Sequence, residues 1–137
     1  KETMRDIIFR GKRIDNGEWI EGSLVVAADR YFIYELVVNE LVDFEVDPET
    51  VGQYTGLEDK NGIKIFEGDI VEYEEPDFNE KMRASVRYGG FSGYYPAFDI
   101  GDHDFDCNGL QLICVERMAK VLGNKFDNPK LLNMFTD

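Results

Sequence analysis

No stretch of the chain sustains the apolar repeat of a long amphipathic helix. Short runs rich in Ile, Val, Tyr and Phe recur instead, separated by Gly, Asn, Asp and Pro. That pattern restricts the fold to an all-β or β-dominated one. The clearest local feature is Asp15-Asn16-Gly17 between the runs 7–13 and 18–26. Asn-Gly supplies the positive φ angles of a tight hairpin, and alternation with Glu18 and Ile20 predicts Trp19 on the core-facing side. Gly11 and Gly22 interrupt the two strands, as bulges or close backbone approaches do.

Tyr31-Phe32-Ile33-Tyr34 reads as a third strand after the connection 27–30. Residues 36–44 carry both helical and extended signals. Val37, Val38 and Val42 favour extended chain, so a loop followed by a strand is expected. Residues 51–75 read as strand, turn, strand, corner and strand. Asp59-Lys60-Asn61-Gly62 turns the chain, and Gly68-Asp69 breaks it before Ile70-Val71-Glu72-Tyr73. Residues 82–88 alternate Ala84, Val86 and Tyr88 with Arg83, Ser85 and Arg87, the mark of a half-buried strand. Residues 94–100 are a further extended piece, 99–109 an acidic loop, and 112–115 and 118–122 the last strands. Asn128-Pro129 matches an N-cap followed by proline, with Leu131, Leu132, Met134 and Phe135 on a short terminal helix.

A chain of 137 residues suits one domain, able to bury roughly two thirds of the surface its unfolded form exposes. With 10 Phe, 7 Tyr and 1 Trp it has the material for a core. The expectation is a single domain over 4–137, divisible into a hairpin-rich N-terminal layer at 4–50 and a small barrel plus C-terminal helix at 51–137. Met4-Arg5 reads as the natural start, which sets residues 1–3 aside. No apolar run approaches the ~20 residues that span a bilayer, and the start does not resemble a signal peptide.

Cys107 and Cys114 make no disulfide framework and read as reduced thiols of a cytosolic protein. A metal or redox pair wants C-x-x-C spacing or further ligands, and His103 is the one histidine. Fifteen basic residues against 28 acidic ones give a formal charge of −13. That argues against ordinary nucleic-acid binding, because phosphate contacts need Lys and Arg, and against docking on anionic membranes. A solvated acidic surface is the plain reading of the charge. A decoy imitating the charge of DNA is the sharper one.

Within the acidic loop, Asp104, Asp106, Asn108 and Gly109 fit the opening of a calcium-binding EF-hand loop. The closing position holds Val115, with Glu116 one place late, and the flanks are strand-like where that motif needs helices. What stays is a weak candidate metal site of Asp102, His103, Asp104 and Asp106. Cys107 lies four residues from His103, yet nothing nearby supplies a nucleophile turn or oxyanion donors. The run 89–95 mixes glycine and aromatics but lacks the Lys-Ser/Thr end of a phosphate loop. No catalytic residue and no cofactor are expected.

Three separated segments resemble the YopX family of proteins encoded by bacteriophages and prophages. The first is Arg5-Asp6-Ile7-Ile8-Phe9-Arg10-Gly11-Lys12-Arg13 with Asn16-Gly17-Glu18-Trp19 and Gly22-Ser23-Leu24. The second is Val51-Gly52-Gln53-Tyr54-Thr55-Gly56-Leu57, Asp59-Lys60-Asn61-Gly62 and Phe66-Glu67-Gly68-Asp69-Ile70-Val71. The third is Val121-Leu122-Gly123-Asn124 with Asp127-Asn128-Pro129-Lys130-Leu131-Leu132. The resemblance implies a phage or prophage protein in the cytoplasm of a bacterial host and brings no catalytic residues. By analogy, the Gly-Asp-Ile-Val corner is of the kind found in SH3-like barrels.

The fold expected is therefore mainly β: an N-terminal hairpin layer, a small SH3-like barrel and a short C-terminal helix. The function expected is a non-enzymatic protein-binding or assembly module, pairing with host or phage proteins or with itself as a homo-oligomer. An acidic decoy of DNA comes second, and a metal-dependent hydrolase built on Asp102, His103, Asp104 and Asp106 third.

Overall fold

A computed structural model describes residues 7–75, 80–88, 94–100, 103–105 and 119–132, with the backbone alone at 74, 75, 80, 82, 88, 94–100 and 103–105. It is mainly β, in antiparallel sheets, and divides into two compact units, Lys1–Gly56 and Leu57–Asp137.

In the first unit, β1 (Phe9–Lys12), β2 (Trp19–Ala27), β3 (Arg30–Val37) and β4 (Glu40–Val46) form an antiparallel meander. One turn of 3-10 helix, Pro48–Thr50, leads into β5 (Gly52–Glu58), which pairs with β1. Asp47 caps that turn by accepting the Glu49 N–H. The Thr50 hydroxyl accepts the Lys12 N–H at 2.9 Å and donates to the Asp47 carbonyl at 2.7 Å. With β6 (Lys64–Phe66), the hydrogen-bonded order is β4-β3-β2-β1-β5-β6.

The end of β4 curls back to β1. Arg13 bridges Val46, the Ile14 N–H donates to the Glu45 carbonyl at 3.0 Å, and the Asp47 N–H donates to the Lys12 carbonyl at 2.8 Å. Ile33 and Val46 are fully buried inside the curl. The close approach expected of Gly22 is real: a β-carbon there would lie 2.1 Å from the Tyr34 carbonyl oxygen. Trp19, expected in the core, is only half-buried. The Arg10 guanidinium and the Lys12 ammonium lie 4.7 and 5.7 Å from its ring centroid. An indole so covered gains cation–π attraction without full burial.

The turns also differ from expectation. Asn16-Gly17 is not a two-residue turn but the end of a four-residue loop closed by the Arg13 N–H on the Glu18 carbonyl. Gly17 has φ 73°, and the Asn16 side chain accepts the Glu18 N–H. The two-residue turns fall elsewhere. Ala28-Asp29 (φ 51° and 64°) joins β2 to β3, and Val38-Asn39 (φ 49° and 66°) joins β3 to β4. Positive φ at both central residues is the mirror-image turn that matches strand twist. Residues 36–44 are therefore a continuous hairpin rather than a loop before a strand.

In the second unit, β7 (Asp69–Glu75), β8 (Glu80–Tyr88), β9 (Tyr94–Ile100), β10 (His103–Phe105) and β11 (Lys120–Asn124) are ordered β10-β9-β8-β7-β11. Ile65, Val71, Tyr73, Ala84, Val86 and Ala119 form its core, with Leu57 and Val121 packed against it. Each large apolar side chain so buried contributes about 1.5–3 kcal/mol. Ser85, on the opposite face of β8 from Ala84, is also buried. Both faces of the strand are thus covered at this point, where the alternation predicts only one.

The described strands close no SH3-like barrel. Its expected first strand, β5, is drawn off to pair with β1, and among the described residues the five-stranded sheet ends at β10 and β11. Where a terminal helix is expected, the described residues hold only one turn of 3-10 helix, Pro129–Leu132, in which the Leu131 N–H reaches the Asn128 carbonyl. Met134 and Phe135 lie outside the described residues, as do the turn expected at Gly89-Gly90 and the strand expected at 112–115. Among the described residues no helix is long and apolar enough to cross a membrane.

Candidate functional site

The four residues singled out for metal binding are only partly placed. His103 and Asp104 lie on β10, opposite Ile100 and Asp99 of β9. Asp102, Asp106, Cys107 and Cys114 lie outside the described residues. The acidic stretch is therefore hairpin strand at both Asp99-Ile100 and His103–Phe105, where a loop is expected. Strand backbone at Asp104 does not provide the helix-flanked loop of an EF-hand. Among the described residues no group of three or more His, Cys, Asp or Glu is arranged to hold a metal ion.

Five polar residues of the family-like segments, Asp59, Asp69, Asn124, Asp127 and Asn128, hold the chain together. Asp59 is 6% exposed. One carboxylate oxygen accepts the N–H groups of Asn61 (2.8 Å) and Ile63 (2.9 Å), and the other accepts that of Val121 (2.9 Å). The Lys60 N–H adds a bond to the Ala119 carbonyl at 3.0 Å. One aspartate thus shapes the turn between β5 and β6 and pins it to β11. Burial pushes its pKa up, but the N–H donors of Val121, Ile63 and Asn61, helped by Lys60, outweigh burial and hold it below the ordinary value.

Asp69, 2% exposed, accepts the Phe66 N–H at 2.8 Å across the Gly68 corner. The Asn124 side chain accepts the N–H groups of Phe126 and Asp127 and donates to the Asp127 carboxylate. The Asn128 side chain, expected to cap the terminal helix, instead turns back to accept the Asn124 N–H. A β-carbon at Gly123 would come within 2.3 Å of the Asn128 oxygen, so the closing motif is an interlocked clip.

The surface with spare chemistry lies on β2, β3 and β4. Six of the nine large apolar residues exposed among the described ones sit on these strands and their turn: Val25, Leu36 and Leu41 on one face, Val26 and Val37 on the other, and Val38 between β3 and β4. Leu36 and Leu41 are cross-strand partners, 68% and 67% exposed, and Val38 at the turn is 89% exposed. The same face carries Phe32 beneath the Arg30 guanidinium, which pairs with Glu45 at 2.6 Å. From Tyr31 to Asp59 the sequence has eight Asp or Glu and no Lys or Arg. Sequence reasoning did not single out this surface. Leucines and valines in a strand carry the same signal whether they face a core or water.

Comparison with known proteins agrees with the architecture. The family model described as YopX protein matches residues 8–133. Among solved structures, the chain is similar to protein EF1440 from Enterococcus faecalis, at 24% identity and a TM-score of 0.53, over 94% of this chain and 99% of that one. Comparison with curated proteins gives no match.

Proposed function

The chain belongs to the YopX family, and from that premise we propose that it is a phage- or prophage-encoded, non-enzymatic protein-binding or assembly module working in the bacterial cytoplasm. The observation carrying this reading is the face of β2–β4 that leaves Val25, Leu36 and Leu41 exposed, in a unit whose interior already holds Ile33 and Val46. Clustered exposed apolar side chains are characteristic of protein-interaction surfaces. Asp59 and Asn124 of the signature segments support the same reading, because their side chains bond backbone amides that shape the chain.

The test is co-purification of the tagged full-length protein from an induced host, followed by reconstitution with the purified partner. A defined complex is expected, either with another protein or, by light scattering, with itself. A protein that stays monomeric at every concentration and captures nothing reproducible would remove the module reading. The acidic run from Tyr31 to Asp59 favours one second reading, a decoy occupying a DNA-binding host protein. In that case the captured partner binds DNA, and added duplex DNA competes the complex apart.

A further inference from the structure

β4 is an edge strand of its sheet. Its last residues are engaged with β1, because the Glu45 carbonyl accepts the Ile14 N–H and the Asp47 N–H donates to Lys12. Backbone groups alternate sides along a strand, so Leu41 and Asp43 turn their peptide groups to the same side as Glu45. Among the described residues nothing pairs with that side at Leu41 or Asp43. The open stretch is short, bounded by the Val38-Asn39 turn at one end and by Glu45 at the other.

We infer that this open edge of β4 receives an extended, lysine- or arginine-bearing segment of a partner protein, added as a further strand. The inference rests on the module reading and names the partner's chemistry. Main-chain hydrogen bonds to Leu41 and Asp43 provide the attachment, and Leu36 and Leu41 give the added strand an apolar strip to lie against. Charge sets the sign of the partner. Glu40 and Asp43 stand on the edge strand itself and Glu35 on its neighbour. The nearby cations are committed, Arg30 to Glu45 and Arg13 to Asp15.

A second copy pairing edge to edge would set this carboxylate row against itself, and like charges opposed across strands are destabilising. Nucleic acid has the wrong sign altogether. The turn points the same way. Val38 holds a left-handed backbone unfavourable for a β-branched residue while its side chain lies 89% exposed. A local strain that gains no burial in the isolated chain is of the kind retained at contact sites.

The test titrates the isotope-labelled full-length protein with a short peptide of alternating valine and lysine, and separately with its valine–glutamate counterpart. The lysine peptide is expected to shift and protect the Leu41 and Asp43 amides and to bind more weakly as salt is raised. The glutamate peptide is expected not to bind. In Leu36→Lys/Leu41→Lys, with an unchanged circular dichroism spectrum, affinity should fall by about tenfold or more. Silence at both amides, equal binding of the glutamate peptide, or the same shifts on concentrating the protein alone would each overturn the assignment. Partner capture that survives in Leu36→Lys/Leu41→Lys overturns the edge but leaves the module; capture of nothing removes both.

Discussion

Asp59 shows how much one side chain can fix. It accepts three backbone N–H groups on two elements far apart in sequence, the β5–β6 turn and β11. Asp59→Asn keeps the shape but sets an amide donor against a backbone donor. It is expected to cost about 2–3 kcal/mol in urea unfolding, the penalty of leaving a buried donor unmet. Because the folded pKa lies below the unfolded one, this aspartate's contribution is complete above about pH 4. It is lost as pH falls through the folded value. Acid titrations of stability should therefore be flatter in Asp59→Asn than in the wild type. Gly22→Ala drives a β-carbon into the Tyr34 carbonyl and is expected to cost about 3 kcal/mol or more. Arg30→Ala removes an exposed ion pair and should leave the melting temperature unchanged, since such pairs are screened by water and salt. Gly22 and Asp59 were legible as close-approach and turn residues because backbone need leaves a mark in residue type. The partner of Asp59 on β11 was not, since a backbone N–H carries no sequence signature.

Turns and strands separate what local chemistry dictates from what tertiary pairing imposes. Asn16-Gly17 is the obvious turn signal, yet the chain uses it in a four-residue loop, because the bond pairing Arg13 with Glu18 leaves four residues between them. The two mirror-image turns are built from Ala28-Asp29 and Val38-Asn39; Asp29 and Asn39 tolerate the left-handed region, but Ala28 and Val38 carry no turn preference. The register of β3 with β2 and β4 imposes them instead. Strain of this kind can be relieved. Val38→Asn, with a residue that tolerates the left-handed region, is expected to stabilise by about 1 kcal/mol and to raise Tm by a few degrees. The short strands themselves were legible from residue type throughout. The split of residues 36–44 at Val38-Asn39 was not, because apolar periodicity there fits helix and strand alike.

Across the whole molecule, 28 acidic residues against 15 basic ones make charge an opposing force on folding. Moderate sodium chloride should raise Tm by screening self-repulsion. The β-rich class was legible from composition and punctuation, but the sheet order was not. That β5 joins β1, and that β11 pairs with β7, depends on pairings between distant segments. The candidate site was illegible for a related reason: exposure of Leu36 and Leu41 is a property of the assembled sheet, not of the strand's pattern. The central claim is that the signature segments hold the fold while the β3–β4 arm meets the partner. Its most direct test is partner capture from the host by the wild type, Asp59→Asn and Leu36→Lys/Leu41→Lys, each normalised to its folded fraction. Capture should be kept per folded molecule in Asp59→Asn and lost in Leu36→Lys/Leu41→Lys at an unchanged melting temperature. Loss in the first with retention in the second would contradict it.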